Sequence, residues 1–132
     1  MKSKYLCPKC RISVNIGDQI ILTGKTRNGL KGLVILKSEL GDYTTLFSDE
    51  FNVIEGNKLS LSCPICRVSL ATHKNKNLAH LLMVDEEKNE ASIFFSQVVG
   101  EKCTYRIEGK HITQTFGEHK NHYKPEWLIE DL

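Results

Sequence analysis

The sequence predicts a mainly β protein, built of antiparallel hairpins and ending in a C-terminal β-meander. Three observations carry that expectation. Apolar and polar residues alternate with period two over several short segments, most clearly 103–107 and 112–116. Turn-forming residues, Asn28-Gly29, Gly41-Asp42, Gly56-Asn57 and Glu108-Gly109, punctuate those segments. Two copies of one tetrapeptide, Cys7-Pro8-Lys9-Cys10 and Cys63-Pro64-Ile65-Cys66, bracket a stretch of 52 residues.

Composition fits a folded domain. The chain has 132 residues, 40% hydrophobic and 26% charged, enough to bury a core without disulfides. A formal charge of +2 gives no strong global field for nucleic acid or membrane. The longest aliphatic run, Leu33-Val34-Ile35-Leu36, is far too short to span a bilayer. No apolar stretch follows the charged start, so no export signal is read and a cytoplasmic protein with no membrane contact is expected.

Each Cys-Pro-x-Cys places two sulfurs on one tight turn. Proline fixes φ at the first turn position, and backbone N–H groups point back at the sulfurs and favour thiolate. One turn offers two ligands and a tetrahedral ion takes four, so Cys7, Cys10, Cys63 and Cys66 are expected to form one closed metal site. Two disulfides would need an oxidising compartment. A thioredoxin-like redox centre would need each pair to open a helix, whereas the β-rich Arg11-Ile12-Ser13-Val14 and Arg67-Val68-Ser69-Leu70 follow.

These turns resemble the zinc knuckles of zinc ribbons and rubredoxin-like folds, over the two knuckles and their flanking strands. The resemblance implies that the four cysteines are the ligands. Arg11 and Arg67 stand where rubredoxins usually carry glycine, and the insert between the knuckles exceeds that of a usual ribbon. Both departures favour Zn2+, with Fe the lesser alternative. Zinc with four protein ligands has no open position for water, so the ion is expected to be structural.

The elements follow in order. Gln19–Lys25 and residues 30–37 form a first hairpin, with Asn28-Gly29 as a type I′ turn that sets Leu22 opposite Ile35 and Ile21 opposite Leu36. Aliphatics on both of its faces predict cover on both sides, and Lys25, Arg27 and Lys31 form a basic tip. Residues 38–50 read as a loop with Tyr43, Leu46 and Phe47 turned inward. Residues 51–54 and 58–62 flank Glu55-Gly56-Asn57 as a second hairpin, whose return strand delivers Cys63. Leu78–Val84 and residues 91–99 make a third, although 78–84 also has fair helix propensity. The last hairpin turns at Gly109-Lys110 in type II′ geometry and sets Cys103, Tyr105, Ile107, Ile112 and Phe116 on one face. Cys103 is thereby a buried thiol beside Phe116, not a nucleophile or an extra ligand. Pro125 opens a short helix bearing Trp127, which folds back on its own domain or docks on a second copy or a partner.

Two subregions and a tail are expected: a zinc-ribbon-like subdomain with a β-hairpin insert over 1–70, a β-meander over 71–124 sharing its core, and a tail over 125–132. No internal repeat is evident beyond the knuckles. His111, His119 and His122 are candidates for a second metal site, with solvated side chains the better expectation; a split site of Cys63, Cys66, His73 and His80 would strand Cys7 and Cys10. No nucleotide-binding, hydrolase or metalloprotease motif is present, so no catalytic residue is assigned. Residues 1–40 carry eight basic and two acidic side chains, the remainder ten and fourteen. The expected function is a non-enzymatic zinc-binding protein acting as a protein-interaction or regulatory module with an unknown protein partner, as a monomer or as a homodimer joined through its tail. Nucleic-acid binding by the basic N-terminal segment is the first alternative. A redox protein, holding an iron tetrathiolate or a zinc-thiolate switch, is the second.

Overall fold

The computed structural model describes residues 3–131. The alternating segments form strands β1 (Lys4–Leu6), β2 (Asn15–Ile16), β3 (Gln19–Lys25), β4 (Lys31–Lys37), β5 (Thr45–Phe47), β6 (Ser60–Ser62), β7 (Leu78–Val84), β8 (Glu90–Ser96), β9 (Thr104–Glu108) and β10 (His111–Phe116). A 3-10 helix, Pro125–Asp131, follows. The fold is mainly β, as expected, and residues 78–84 are strand. All pairings are antiparallel, in two five-stranded sheets. One runs β1-β7-β8-β9-β10. The other runs β2-β3-β4-β5, with β6 beside β2 on the same edge of β3.

The sheets face each other across a shared core. Ile20, Leu22 and Val34 meet Ala79, Leu81, Met83 and Ile93, with Tyr5, Phe51, Leu59 and Leu61 between them. Phe51 lies over Gly24 and Gly32, where any side chain would collide with the ring or with Val34. A second cluster lies behind the β7–β9 sheet. There Leu128 of the 3-10 helix, 1% exposed, packs with Leu78, Phe94, Cys103, Tyr105 and Ile107. The tail thus folds back on its own chain through Leu128, while Trp127 remains 59% exposed.

Four local expectations change. Residues 38–50, expected as a loop, contain β5, and Leu46, expected inward, is 52% exposed on the outer face. The first hairpin is one residue out of the expected register: Ile21 faces Ile35 and Leu22 faces Val34. Gly29, at φ 95°, alone takes the left-handed conformation in that turn, so residues 27–29 form a three-residue loop closed by Thr26 and Leu30 instead of a type I′ turn. The shift gathers Ile21, Leu33 and Ile35 on the outer face, where they are half-buried or exposed rather than covered. The second hairpin does not form. Residues 51–54 are not strand, and β6 pairs with β3 instead. In the last hairpin the turn is as expected, but a bulge between Ile112 and Gln114 moves Phe116 opposite Thr104. Phe116 therefore leaves the face of Cys103 and packs toward Gly41.

The repeat extends well beyond the knuckles. β1 and β6 are related by a shift of 56 residues, and a shift of 59 carries β3, β4 and β5 onto β7, β8 and the start of β9, residues 104–106. The registers repeat pair for pair. Gln19 faces Lys37 as Leu78 faces Ser96, and Ile35 faces Leu46 as Phe94 faces Tyr105. Left-handed residues recur at Arg11 and Arg67, Gly29 and Lys88, and Gly41 and Gly100. The two units exchange their first strands: β1 of the first pairs with β7 of the second, and β6 of the second pairs with β3 of the first. The molecule is thus two copies of one β-knuckle-β-β-β-β unit, related by an approximate two-fold and closed by exchanged arms.

Candidate metal centre

The knuckles sit where the exchanged arms cross. The chain enters the first from β1, in one sheet, and leaves into β2, in the other. It enters the second from β6 and leaves through Ala71, which bridges to Ala79 of β7. Within each knuckle the backbone is the same. Arg11 N–H donates to the Cys7 carbonyl at 2.9 Å, and Cys7 N–H donates to the Ile12 carbonyl at 3.2 Å. Arg67 N–H donates to the Cys63 carbonyl at 2.9 Å, and Cys63 N–H donates to the Val68 carbonyl at 3.0 Å. Arg11 and Arg67 hold φ of 60° and 66°. Two arginines thus adopt the backbone that glycine adopts without a Cβ penalty, at a cost of about 1–2 kcal/mol each. Arg11 spans to β8, where its guanidinium donates two hydrogen bonds to the Glu90 carboxylate, at 2.7 and 3.4 Å.

The exchange brings all four knuckle sulfurs together, within 4.8 Å of one another. Cys7 Sγ lies 3.7 Å from Cys66 Sγ, and Cys10 Sγ lies 3.8 Å from Cys63 Sγ. The two-fold relation interchanges these contacts, so the centre of the group lies on the approximate axis. A metal–sulfur bond of about 2.3 Å gives a tetrahedral edge of about 3.8 Å, the spacing found across both pairs. A disulfide would need about 2.05 Å. The four thiols are free, and the geometry is that of a cluster compatible with a metal ion.

Proton chemistry at the cluster follows from burial and backbone amides. Burial raises the thiol of Cys63, but the N–H groups of Cys66 and Ile65, 3.5 and 3.3 Å from its sulfur, together with the thiols of Cys10 and Cys66, outweigh this and bring it down to about 7. Burial pushes Cys7 up to about 12, helped by its contacts with the Cys66 and Cys10 thiols and opposed by the N–H groups of Cys10 and Lys9. One thiolate therefore forms readily, and its charge disfavours a second nearby. A cation entering the cluster displaces the remaining protons.

The other candidates lie elsewhere. Cys103 is buried in the second cluster, where burial raises its thiol to about 12. His111, at the tip of the β9–β10 hairpin, is separate from His119 and His122. His119 Nδ1 accepts the N–H of Lys102, and His122 stands 3.8 Å from Glu101. His80 stacks on Phe94 and bonds Ser92, apart from the knuckle sulfurs. Among the described residues, the four cysteines alone form a metal-holding group. Sequence reasoning missed the Arg11–Glu90 bridge. It also missed the length of the shared knuckle motif, Cys-Pro-x-Cys-Arg-(Ile/Val)-Ser-(Val/Leu), whose signal is visible on aligning Cys7–Val14 with Cys63–Leu70.

No known protein family, curated protein or solved structure matches this chain. No helix among the described residues is long and apolar enough to cross a membrane.

Proposed function

We propose that the chain is a non-enzymatic zinc protein. A single Zn2+ held by Cys7, Cys10, Cys63 and Cys66 locks the two units together, and the β surface so fixed serves as a protein-interaction or regulatory module. The observation that carries this reading is the convergence of both sulfur pairs at tetrahedral spacing. Four protein sulfurs fill the coordination of zinc and leave no position for a reacting water, which supports a structural ion. Free thiols fit a reducing compartment such as the cytoplasm. The nucleic-acid reading draws less support, because Arg11 is engaged by Glu90 and Lys37 by Asp18.

Metal analysis of freshly purified protein, with a visible spectrum, tests the reading. The expected result is one zinc per chain in a colourless protein, with the metal lost in the Cys10→Ser/Cys66→Ser variant. Sub-stoichiometric metal in the unaltered chain, or the charge-transfer colour of an iron tetrathiolate, overturns it.

A further inference from the structure

The two units differ in what covers their outer faces. In the second, the 3-10 helix lays Leu128 over Phe94 and Tyr105. In the first, the equivalent positions are Ile35 and Leu46, which face each other across β4 and β5. Ile21 extends this row across β3, and Leu33 lies two residues along β4. Leu33 and Leu46 are 44% and 52% exposed. Strand alternation places lysines on the same face at both ends of the row. Lys25 faces Lys31 at one end, and Lys37 lies beside Gln19 at the other, 3.6 Å from the exposed Asp18. The face is an aliphatic strip with a lysine pair at one end and the Lys37–Asp18 ion pair at the other.

We propose that this face docks a short acidic–aliphatic segment of a protein partner. The strip takes apolar side chains, and Lys25 and Lys31, paired at one end of it, take flanking carboxylates. The fold supplies its own precedent. The segment covering the equivalent face carries Trp127, Leu128 and Ile129 between Glu126 and Glu130, and Glu130 reaches Lys74 at 3.1 Å. A second copy packed face to face brings the ends of one strip against those of the other and offers Lys25 and Lys31 no carboxylate beyond Asp18, which Lys37 already engages. Nucleic acid would engage the lysines and leave the aliphatic strip exposed to water. The proposal rests on the protein-interaction reading above and names the surface and the chemistry of the partner.

The test uses the zinc-loaded full chain, 15N-labelled, titrated with a synthetic peptide copying residues 120–132. Backbone amide shifts should centre on Ile21, Leu33, Ile35 and Leu46. Leu46→Lys should weaken binding about tenfold, equivalent to about 1.4 kcal/mol, while zinc content and the remaining spectrum stay unchanged. A peptide with Gln in place of its acidic residues should bind more weakly, and added salt should reduce the difference. No shifts up to about 1 mM peptide, shifts confined to the groove of the chain's own 3-10 helix, or equal affinity in Leu46→Lys overturn the proposal. So does a dimer of the unliganded chain that Leu46→Lys dissolves, which would make a second copy the occupant. The two readings fail separately. Peptide shifts elsewhere on the sheets remove this face and leave an interaction module standing, and a metal-free sample removes the zinc reading whatever the peptide does.

Discussion

Removing the metal tests how the two units are joined. Cys10 and Cys63 stand 53 residues apart in sequence and 3.8 Å apart at their sulfurs. An ion bridging them offsets the entropy that closing this loop costs, and it is released when the chain unfolds. The chain-entropy relation for a loop of this length gives about 4 kcal/mol. That is a minimum, because structural zinc sites contribute about 10–16 kcal/mol of apparent binding energy and a domain holds about 5–15 kcal/mol in all. For a chain of this size, about 4 kcal/mol corresponds to a fall in Tm of about 12–20 °C. The assay is urea and thermal unfolding followed by far-UV circular dichroism, with and without a strong chelator. Cys103→Ala serves as a thiol control, because its sulfur lies outside the cluster. Equal midpoints after verified removal of zinc would refute the claim that the ion staples the units.

Other expectations concern packing and charge. Leu128→Ala should destabilise by about 2–5 kcal/mol through the cavity left among Leu78, Phe94 and Tyr105, without changing zinc content; chemical denaturation and metal analysis read both. Gly32→Ala should cost about 1–3 kcal/mol, because the new Cβ would lie 2.4 Å from the Phe51 ring. Phe51→Ala alone should cost about 3–5 kcal/mol, and the double variant should lose less than the sum, since its added methyl enters vacated space; a double-mutant cycle returning strict additivity would rule out the clash. Glu90→Gln removes the partner of Arg11, whose guanidinium holds the Glu90 carboxyl below its usual range. With a depressed folded pKa, that contribution is fully present at pH 7 and is lost as pH falls through the depressed value. The unfolding midpoints of variant and parent should converge between about 0.1 M and about 1 M salt, because the pair is exposed.

The four-cysteine cluster was legible in the sequence because its information is local. A Cys-Pro-x-Cys turn presents two sulfurs whatever surrounds it, and two such turns leave one simple way to complete a tetrahedron. Strand positions were legible for the same reason where period two survives, in β3 and β9, whereas β7 and β8 are buried on both faces and read as apolar runs. Register was not. It turned on single residues: Gly29 alone in the left-handed region, and one bulged position after Ile112, each of which carries a row of side chains to the opposite face. The repeat was obscured because equivalent positions face different surroundings. Ile35 meets solvent where Phe94 meets Leu128, and Gly32 lies beneath Phe51 where the second unit has Ala91. Exchange of the first strands had no local signature, since short strands such as Lys4–Leu6 fit many edges and the choice rests on contacts far along the chain.

The exchange of arms also orders events at the ribosome. β1 emerges first, yet its hydrogen-bonding partner is the segment from Leu82 to Val84. Until that segment clears the exit tunnel, β1 has no edge to join, although the second sulfur pair, Cys63 and Cys66, has already emerged. Closure of the β1-β7-β8-β9-β10 sheet therefore waits for β7, long after β1 has emerged.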